Sequence, residues 1–348
     1  MIHIRSILVM LKETRYIGGV LKEYSDVLTP GKYYIYNSFR AMSVQHVHVR
    51  MSADQLFHMQ RPYKAREKTA RVLNRLKYFA NRNRCSSGEF EAFYIANNEE
   101  EHREVKLFSF KNKRVLAICV NRDAMDRQLQ EYQELGHAYK MPAVVKSDRY
   151  DGALETDLVE RRTFPGDNAA LTTIARATAA YNPEPDKLFY KSIEELIEFS
   201  YGDEEINVLL GRLAEGVASE LLLCRLPICL QHGDLSKDNL LYGESQSCED
   251  FWFIDWEHKK ERVFFYDYFF YLLNSGFCGD VGALSCYMSG ENDGVLREFF
   301  QHFKLEFCPD KRRDYLLVFA ICFLKERVCN LGNVGTLKAY CELIDSHC

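Results

Sequence analysis

The sequence predicts an α+β protein of two lobes, a small mainly β N-lobe and a larger mainly α C-lobe, with a basic N-terminal extension. Three observations carry that expectation. Three apolar runs of strand length crowd between residues 90 and 120, and from about residue 168 onward the apolar spacing is mostly helical. Charge is also divided unevenly. Residues 1–85 hold 16 Lys/Arg against 5 Asp/Glu, a balance of +11, whereas the remaining 263 residues hold 29 against 45, a balance of −16. A basic front and an acidic body attract each other.

The first stretch, 1–85, reads as a basic N-terminal module. "GKYYIYNSF" (31–39) and "VQHVHVRM" (44–51) alternate like strands, with "TPGK" as a turn. Residues 63–81 read as a helix, with Lys64, Lys68, Arg71 and Arg75 on one face and Val72, Leu76 and Phe79 on another. "RNRCSSGE" marks the boundary near residue 85.

Residues 86–166 form the expected N-lobe. Strands fall on "FEAFYIA" (90–96), "EVKLFSF" (104–110) and "RVLAICV" (114–120), the last two joined by a tight turn at "KNK". A helix follows, with Met125, Leu129, Tyr132 and Leu135 on one stripe and Gly136 as its stop signal. A further strand pair, "MPAVVKS" and "ALETDLVERRTF", ends at the hinge Pro165-Gly166. Residues 167–348 form the mainly helical C-lobe, interrupted around 228–257 by three short strands.

Composition excludes several classes. With 47% hydrophobic and 13% aromatic residues the chain can bury a large core and is not globally disordered. Its 12 cysteines include no C-x-x-C pair, which implies reduced, mostly buried thiols. The opening apolar run is too short for a secretory signal, and "YLLVFAICFL" (315–324) is about half a membrane span. A cytoplasmic protein without a transmembrane segment is expected.

Chemistry concentrates in "LQHGDLSKDNLLYGE" (230–244) and "FWFIDWEH" (251–258). Asp234 and Asn239 lie five residues apart on a loop, and Asp255 follows 16 residues after Asn239 at the end of an aromatic strand. Two carboxylates and an amide converging from adjacent strand ends are hard oxygen ligands of the kind that hold Mg²⁺ beside phosphates. One aspartate can stand clear of the metal and accept a proton from a substrate hydroxyl. The plainer reading is a polar turn between core strands, where Asp and Asn serve as turn residues.

"HGDLSKDN" followed by "FIDWE" resembles the aminoglycoside phosphotransferase and choline kinase superfamily, which has a protein-kinase-like fold. "LQEYQEL…MPAVV", "LVERRTFPG" and "VFFYDYFFYLL" look like other segments of that family, so the resemblance covers roughly residues 90–275. It implies that Asp234 is the catalytic base, that His232 orients the loop, and that Asn239 and Asp255 are ligands to Mg²⁺. It also implies that Glu131 pairs with a phosphate-binding lysine and that Asp267 holds the loop backbone. The segment Leu158, Val159, Glu160 and Arg161 would contact the base of ATP or GTP as phosphate donor. Asp238 reads as solvated.

Only eight residues, "WEHKKERV", separate Asp255 from the aromatic helix expected near Phe264. That leaves no room for the activation segment of a protein kinase, so a small-molecule hydroxyl acceptor is expected. The acidic runs "IEELIEF", "YGDEE" and "ESQSCED" suit a cationic acceptor such as an aminoglycoside, choline or ethanolamine. A neutral sugar is equally open.

Two departures stand out. The family's third-strand lysine is replaced by Cys119, and "IANNEEEHRE" occupies the place of a glycine-rich loop. Lys106 is the stand-in expected here. Across a short even-numbered turn it shares a face with Ala117 and Cys119, and a two- or four-residue turn is expected to set it directly opposite Cys119.

Other readings compete. A pseudokinase would keep the fold and bind nucleotide or a partner without turnover. The basic 64–84 stretch offers a surface for weak membrane contact. Nucleic acid is disfavoured, because no aromatic side chains interleave its basic ones. His46 and His48 share a strand face, but two histidines do not make a metal site.

Overall fold

The computed structural model is α+β and describes residues 17–35, 42–45, 78–95, 104–119, 122–201, 204–245, 248–277, 279–331, 338–339, 342–344 and 346. It divides into two compact units whose segments alternate along the chain. One comprises Met1–Glu134, Met141–Thr163 and Tyr242–Trp252, and the other Leu135–Lys140, Phe164–Leu241 and Phe253–Cys348.

The first unit is built on an antiparallel sheet of eight strands in the order β3-β1-β2-β4-β5-β6-β8-β7. These are β1 (Gly31–Ile35), β2 (Met42–Gln45), β3 (Tyr78–Asn81), β4 (Ala92–Ile95), β5 (Glu104–Ser109), β6 (Arg114–Cys119), β7 (Val144–Lys146) and β8 (Ala153–Asp157). Alternation decides which face is buried. In β5, Val105, Leu107 and Ser109 point inward while Glu104, Lys106 and Phe108 lie on the more open face. Val105 and Leu107 join a core with Phe93, Leu116 and Ala153, and with Ile17, Val20, Leu21, Val27 and Leu28 from a helical stretch at 17–23 and the turn after it. Burying each such side chain contributes about 1.5–3 kcal/mol.

Strands from the 1–85 stretch therefore share one sheet and one core with those of 86–166. Asn81 strengthens the join by donating to the carbonyls of Leu28 at 2.7 Å and Ser25 at 3.0 Å.

The helix expected over 63–81 requires correction at its end, because Tyr78–Asn81 is strand β3. Asn81 pairs with Gly31 and Phe79 with Tyr33, so a ladder formed with a distant strand overrides local helical spacing. Residues 63–77, including Lys64, Lys68, Arg71 and Arg75, lie outside the described residues, as do His46, His48 and 96–103 of "IANNEEEHRE".

In the second unit, helices Asp167–Tyr181, Ile193–Ile197, Glu204–Glu215, Tyr266–Phe277, Gly282–Ser289, Asp293–His302 and Arg312–Leu331 accompany a sheet in the order β10-β11-β14. Two strands in this unit were not anticipated, β10 (Phe189–Ser192) and β14 (Lys260–Val263). Both are four residues long and are held by antiparallel pairing with β11 (Arg225–Gln231). The Tyr266–Phe277 helix is apolar on nearly every side, so it sits inside the unit. It starts two residues later than expected. Phe264, just before it, packs on Phe303 at 4.7 Å and Phe300 at 4.9 Å.

A third small sheet, ordered β13-β12-β9, joins β13 (Cys248–Phe253), β12 (Leu240–Ser245) and β9 (Glu160–Arg161). Among the described residues no helix is long and apolar enough to cross a membrane. Among the cysteines whose side chains are described the thiols are not mostly buried: Cys85 and Cys248 are exposed, and Cys224, Cys286, Cys308 and Cys322 are intermediate. Apart from Cys322, which lies between buried Ile321 and Phe323 in the Arg312–Leu331 helix, they sit in turns, at a strand end and on helix flanks rather than in the cores. Cys229 is buried, and burial pushes its thiol up to about 12, as it does that of Cys322.

Candidate active site

Strand β11 ends at Gln231, and the chain turns sharply through His232, Gly233 and Asp234. Gly233 has φ +84, and a Cβ there would lie 2.5 Å from both Arg262 Nη1 and the His258 carbonyl. Only glycine fits this turn. Its reward is a pair of consecutive amides aimed at one carboxylate. Asp267 accepts from His232 N–H at 2.6 Å and from Gly233 N–H at 2.8 Å, and its own N–H donates to Gln231 Oε1 at 3.1 Å. Burial pushes the Asp267 carboxyl up, while His232 and the two amides pull the other way.

His232 is fully buried, with Nε2 2.8 Å from the Ile254 carbonyl. A carbonyl only accepts, so Nε2 carries the proton and Nδ1 accepts the Asp234 N–H at 3.4 Å. The ring packs against Trp256 at 4.6 Å, and Trp256 against Tyr139 at the same distance. Ile254 N–H in turn donates to the Asn239 carbonyl at 3.1 Å. The histidine and this amide bind the 231–240 loop to the end of β13.

The loop closes on itself through Asn239, whose Nδ2 donates to the Asp234 carbonyl at 2.8 Å and to Asp234 Oδ2 at 3.3 Å. Using the amide nitrogen this way leaves the amide oxygen Oδ1 outside these bonds. Asp255 follows Ile254 directly, is exposed, and adopts φ +67, a left-handed conformation that Asp tolerates better than most residues. Asp234 and Asn239 are thus bonded to one another, and Asn239 to the residue just before Asp255, all within the second unit. Their amide and carboxylate oxygens fit a hard divalent cation that takes its other ligands from phosphate and water. Among the described residues no group of three or more His, Cys, Asp or Glu could hold a metal alone. Asp238 is exposed.

Arg262 was not singled out from the sequence. Its guanidinium donates to Glu326 through Nε at 3.0 Å and Nη2 at 2.9 Å, and to the His258 carbonyl at 3.1 Å. It lies 4.7 Å over the Tyr266 ring and fills the space that the missing Cβ of Gly233 leaves open. An arginine 64 residues from its partner leaves no local signal; the glycine between His232 and Asp234 was the readable half.

The remaining candidates belong to the first unit. The turn between β5 and β6 spans four residues, and the register sets Lys106 opposite Ala117 and Glu104 opposite Cys119. The expected pairing of Lys106 directly with Cys119 is therefore corrected. Ser109 faces Arg114, so Cys119 lies one same-face step beyond Ala117, diagonal to Lys106. Lys106 Nζ lies 3.6 Å from Glu104. Glu131 is partly exposed on the Arg122–Leu135 helix. Leu158 and Val159 are buried, and Glu160 and Arg161 form β9, paired with Glu244 and Gly243. Gly243 permits that approach, since a Cβ there would lie 2.6 Å from the Glu160 carbonyl.

No family model and no curated relative matches the sequence. Among solved structures, the chain is similar to the amicoumacin kinase hAmiN, with 12% identity over 72% of this chain and 88% of that one, at a TM-score of 0.42. It is similar to the aminoglycoside phosphotransferase APH(4)-Ia with 13% identity over 74% and 94%, again at 0.42. For the choline kinase LicA from Streptococcus pneumoniae the values are 16%, 72%, 92% and 0.36.

Proposed function

We propose that the chain is a cytoplasmic, Mg²⁺-dependent phosphotransferase that moves the terminal phosphoryl group of ATP or GTP to a hydroxyl of a small molecule. The observation that carries this reading is the closed loop. Asn239 holds Asp234 at 3.3 Å, while its carbonyl receives the N–H of the residue just before Asp255. Asn239 Oδ1 and the Asp255 carboxylate would hold Mg²⁺, which would supply charge neutralisation at the phosphates. Asp234 accepts the proton of the acceptor hydroxyl as its oxygen bonds phosphorus and the nucleoside diphosphate departs. His232 and Asp267 keep that carboxylate in place. Lys106, Glu131 and the Leu158–Arg161 segment are proposed to serve the nucleotide.

A small acceptor is favoured because residues 256–265 are consumed by a turn and by β14, which pairs with β11. No span is left to form a peptide groove. The acidic runs do not choose between a cationic acceptor and a sugar. Glu195 caps its own helix with Ser192, Glu205 pairs with Lys338, and Glu244 pairs with Arg162. A reading without turnover draws on Glu104 facing Cys119, where the family's lysine would stand.

Turnover of wild type, compared with that of Asp234→Asn, decides between the two. The phosphotransferase reading expects turnover to vanish while Mg²⁺-nucleotide binding persists. Normal turnover in that variant would remove Asp234 as the base.

A further inference from the structure

Three positions beyond Asp234, Lys237 is held in a cage. Its ammonium lies 2.7 Å from Asp167 Oδ1 and 2.8 Å from Asp280 Oδ2. The rings of Phe164 and Tyr271 are 5.5 and 5.8 Å away, and the Lys237 side chain is only 18% exposed. Two carboxylates and two aromatic faces around one ammonium form a site built for a cation. The walls come from different elements. Asp167 begins the Asp167–Tyr181 helix and accepts the Tyr271 hydroxyl at 2.7 Å, while Asp280 precedes the Gly282–Ser289 helix and accepts Gly282 N–H at 3.3 Å.

The other end of Lys237 is the catalytic loop itself. Ser236 N–H bonds the Asp234 carbonyl at 2.8 Å, and Asn239 N–H bonds the Ser236 carbonyl at 3.0 Å, so Lys237 sits inside the tight turn that joins Asp234 to Asn239. At its ammonium end the charge of Lys237 is taken up by Asp167 and Asp280.

We infer that Lys237 is a positioning residue whose caged ammonium pins the Asp234–Asn239 turn to two helix starts of the same unit. Its kinetic consequence rests on the phosphotransferase reading; the cage does not. A displacement of Asp234 by about 1 Å costs up to about 100-fold in rate. Loss of the tether therefore lowers kcat through Asp234, and because the same turn carries Asn239 it also raises the Mg²⁺-nucleotide KM.

Lys237→Ala tests this with propylammonium, which restores the missing three carbons and the ammonium, against sodium at equal ionic strength. Three readouts are followed: melting temperature, hydrogen exchange of the 232–240 amides, and the split between kcat and KM. The expected result is a lowered melting temperature, faster exchange in 232–240, and kcat down by as much as about 100-fold with a raised Mg²⁺-nucleotide KM. Propylammonium, and not sodium, should reverse all three, while leaving wild type unmoved.

Lys237→Met, which keeps the stem and drops the charge, should reproduce the losses without rescue and serves if the alanine variant does not fold. The inference is overturned if propylammonium changes neither melting nor exchange. It is also overturned if kcat stays low once the amine has restored the other two, or if Lys237→Ala turns over like wild type. If wild type itself has no turnover, the phosphotransferase reading falls, and exchange in 232–240 decides the positioning role.

Discussion

The Asp267 carboxylate accepts the backbone N–H of His232 at 2.6 Å with one oxygen and that of Gly233 at 2.8 Å with the other. A single buried side chain, 34 residues downstream of Gly233, thereby fixes the backbone that presents Asp234. Charge-assisted bonds of this kind are roughly twice as strong as neutral ones.

Asp267→Asn should therefore be costly although it changes few atoms. The amide offers one acceptor oxygen and turns an NH₂ toward the second N–H, leaving a buried donor unsatisfied at about 1–3 kcal/mol. Urea unfolding should shift to lower midpoint at constant slope, with kcat reduced. An unchanged midpoint would mean the two amides find other partners.

Gly233→Ala should destabilise by more than about 1 kcal/mol, because L-residues resist positive φ. Adding Arg262→Ala should recover only part of the loss. It removes the contact at Nη1, but the His258 carbonyl would still lie 2.5 Å from the new Cβ. A thermodynamic cycle over the four proteins checks this, and complete recovery would show that backbone strain contributes little.

The Lys237 cage also sets a pH dependence. The hydrogen bond from Lys237 holds the Asp280 carboxyl below its ordinary value of 3.8. Burial pulls Lys237 down, yet its bonds to Asp167 and Asp280 outweigh that and push it above its ordinary 10.5. The depressed carboxyl adds stability that is present above its unfolded value and lost as pH falls through the folded one. The raised ammonium adds stability that is present below its unfolded value and lost as pH rises through the folded one. The melting advantage of wild type over Lys237→Met should be level through neutrality, shrink below about pH 4, and be modest because Asp280 is exposed. An advantage that persists unchanged in acid would contradict the assignment.

What was readable in the sequence follows from distance along the chain. The β5–β6 hairpin and the Arg122–Leu135 helix were legible because their periods of 2 and 3.6 are local. The Asp234–Asn239 loop was legible because its chemistry is packed into a few residues. Lys106 was read to the correct face, since its register pairs it with Ala117, but one pair out of step, because Glu104 takes the place opposite Cys119. Strand β3 was missed because its partner β1 lies far upstream. The bonds from Arg262 to Glu326 and from Lys237 to Asp280 span 64 and 43 residues, and no spacing rule reaches that far.

The central claim is that Asn239 and Asp255 hold Mg²⁺ for a nucleotide while Asp234 serves the acceptor. The most direct measurement is the melting temperature with ATP or GTP, with and without Mg²⁺, for wild type and Asp255→Asn. The account predicts stabilisation of wild type that requires Mg²⁺ and disappears in the variant. A nucleotide-dependent shift that ignores Mg²⁺ or survives Asp255→Asn, or no shift with either nucleotide, would contradict it.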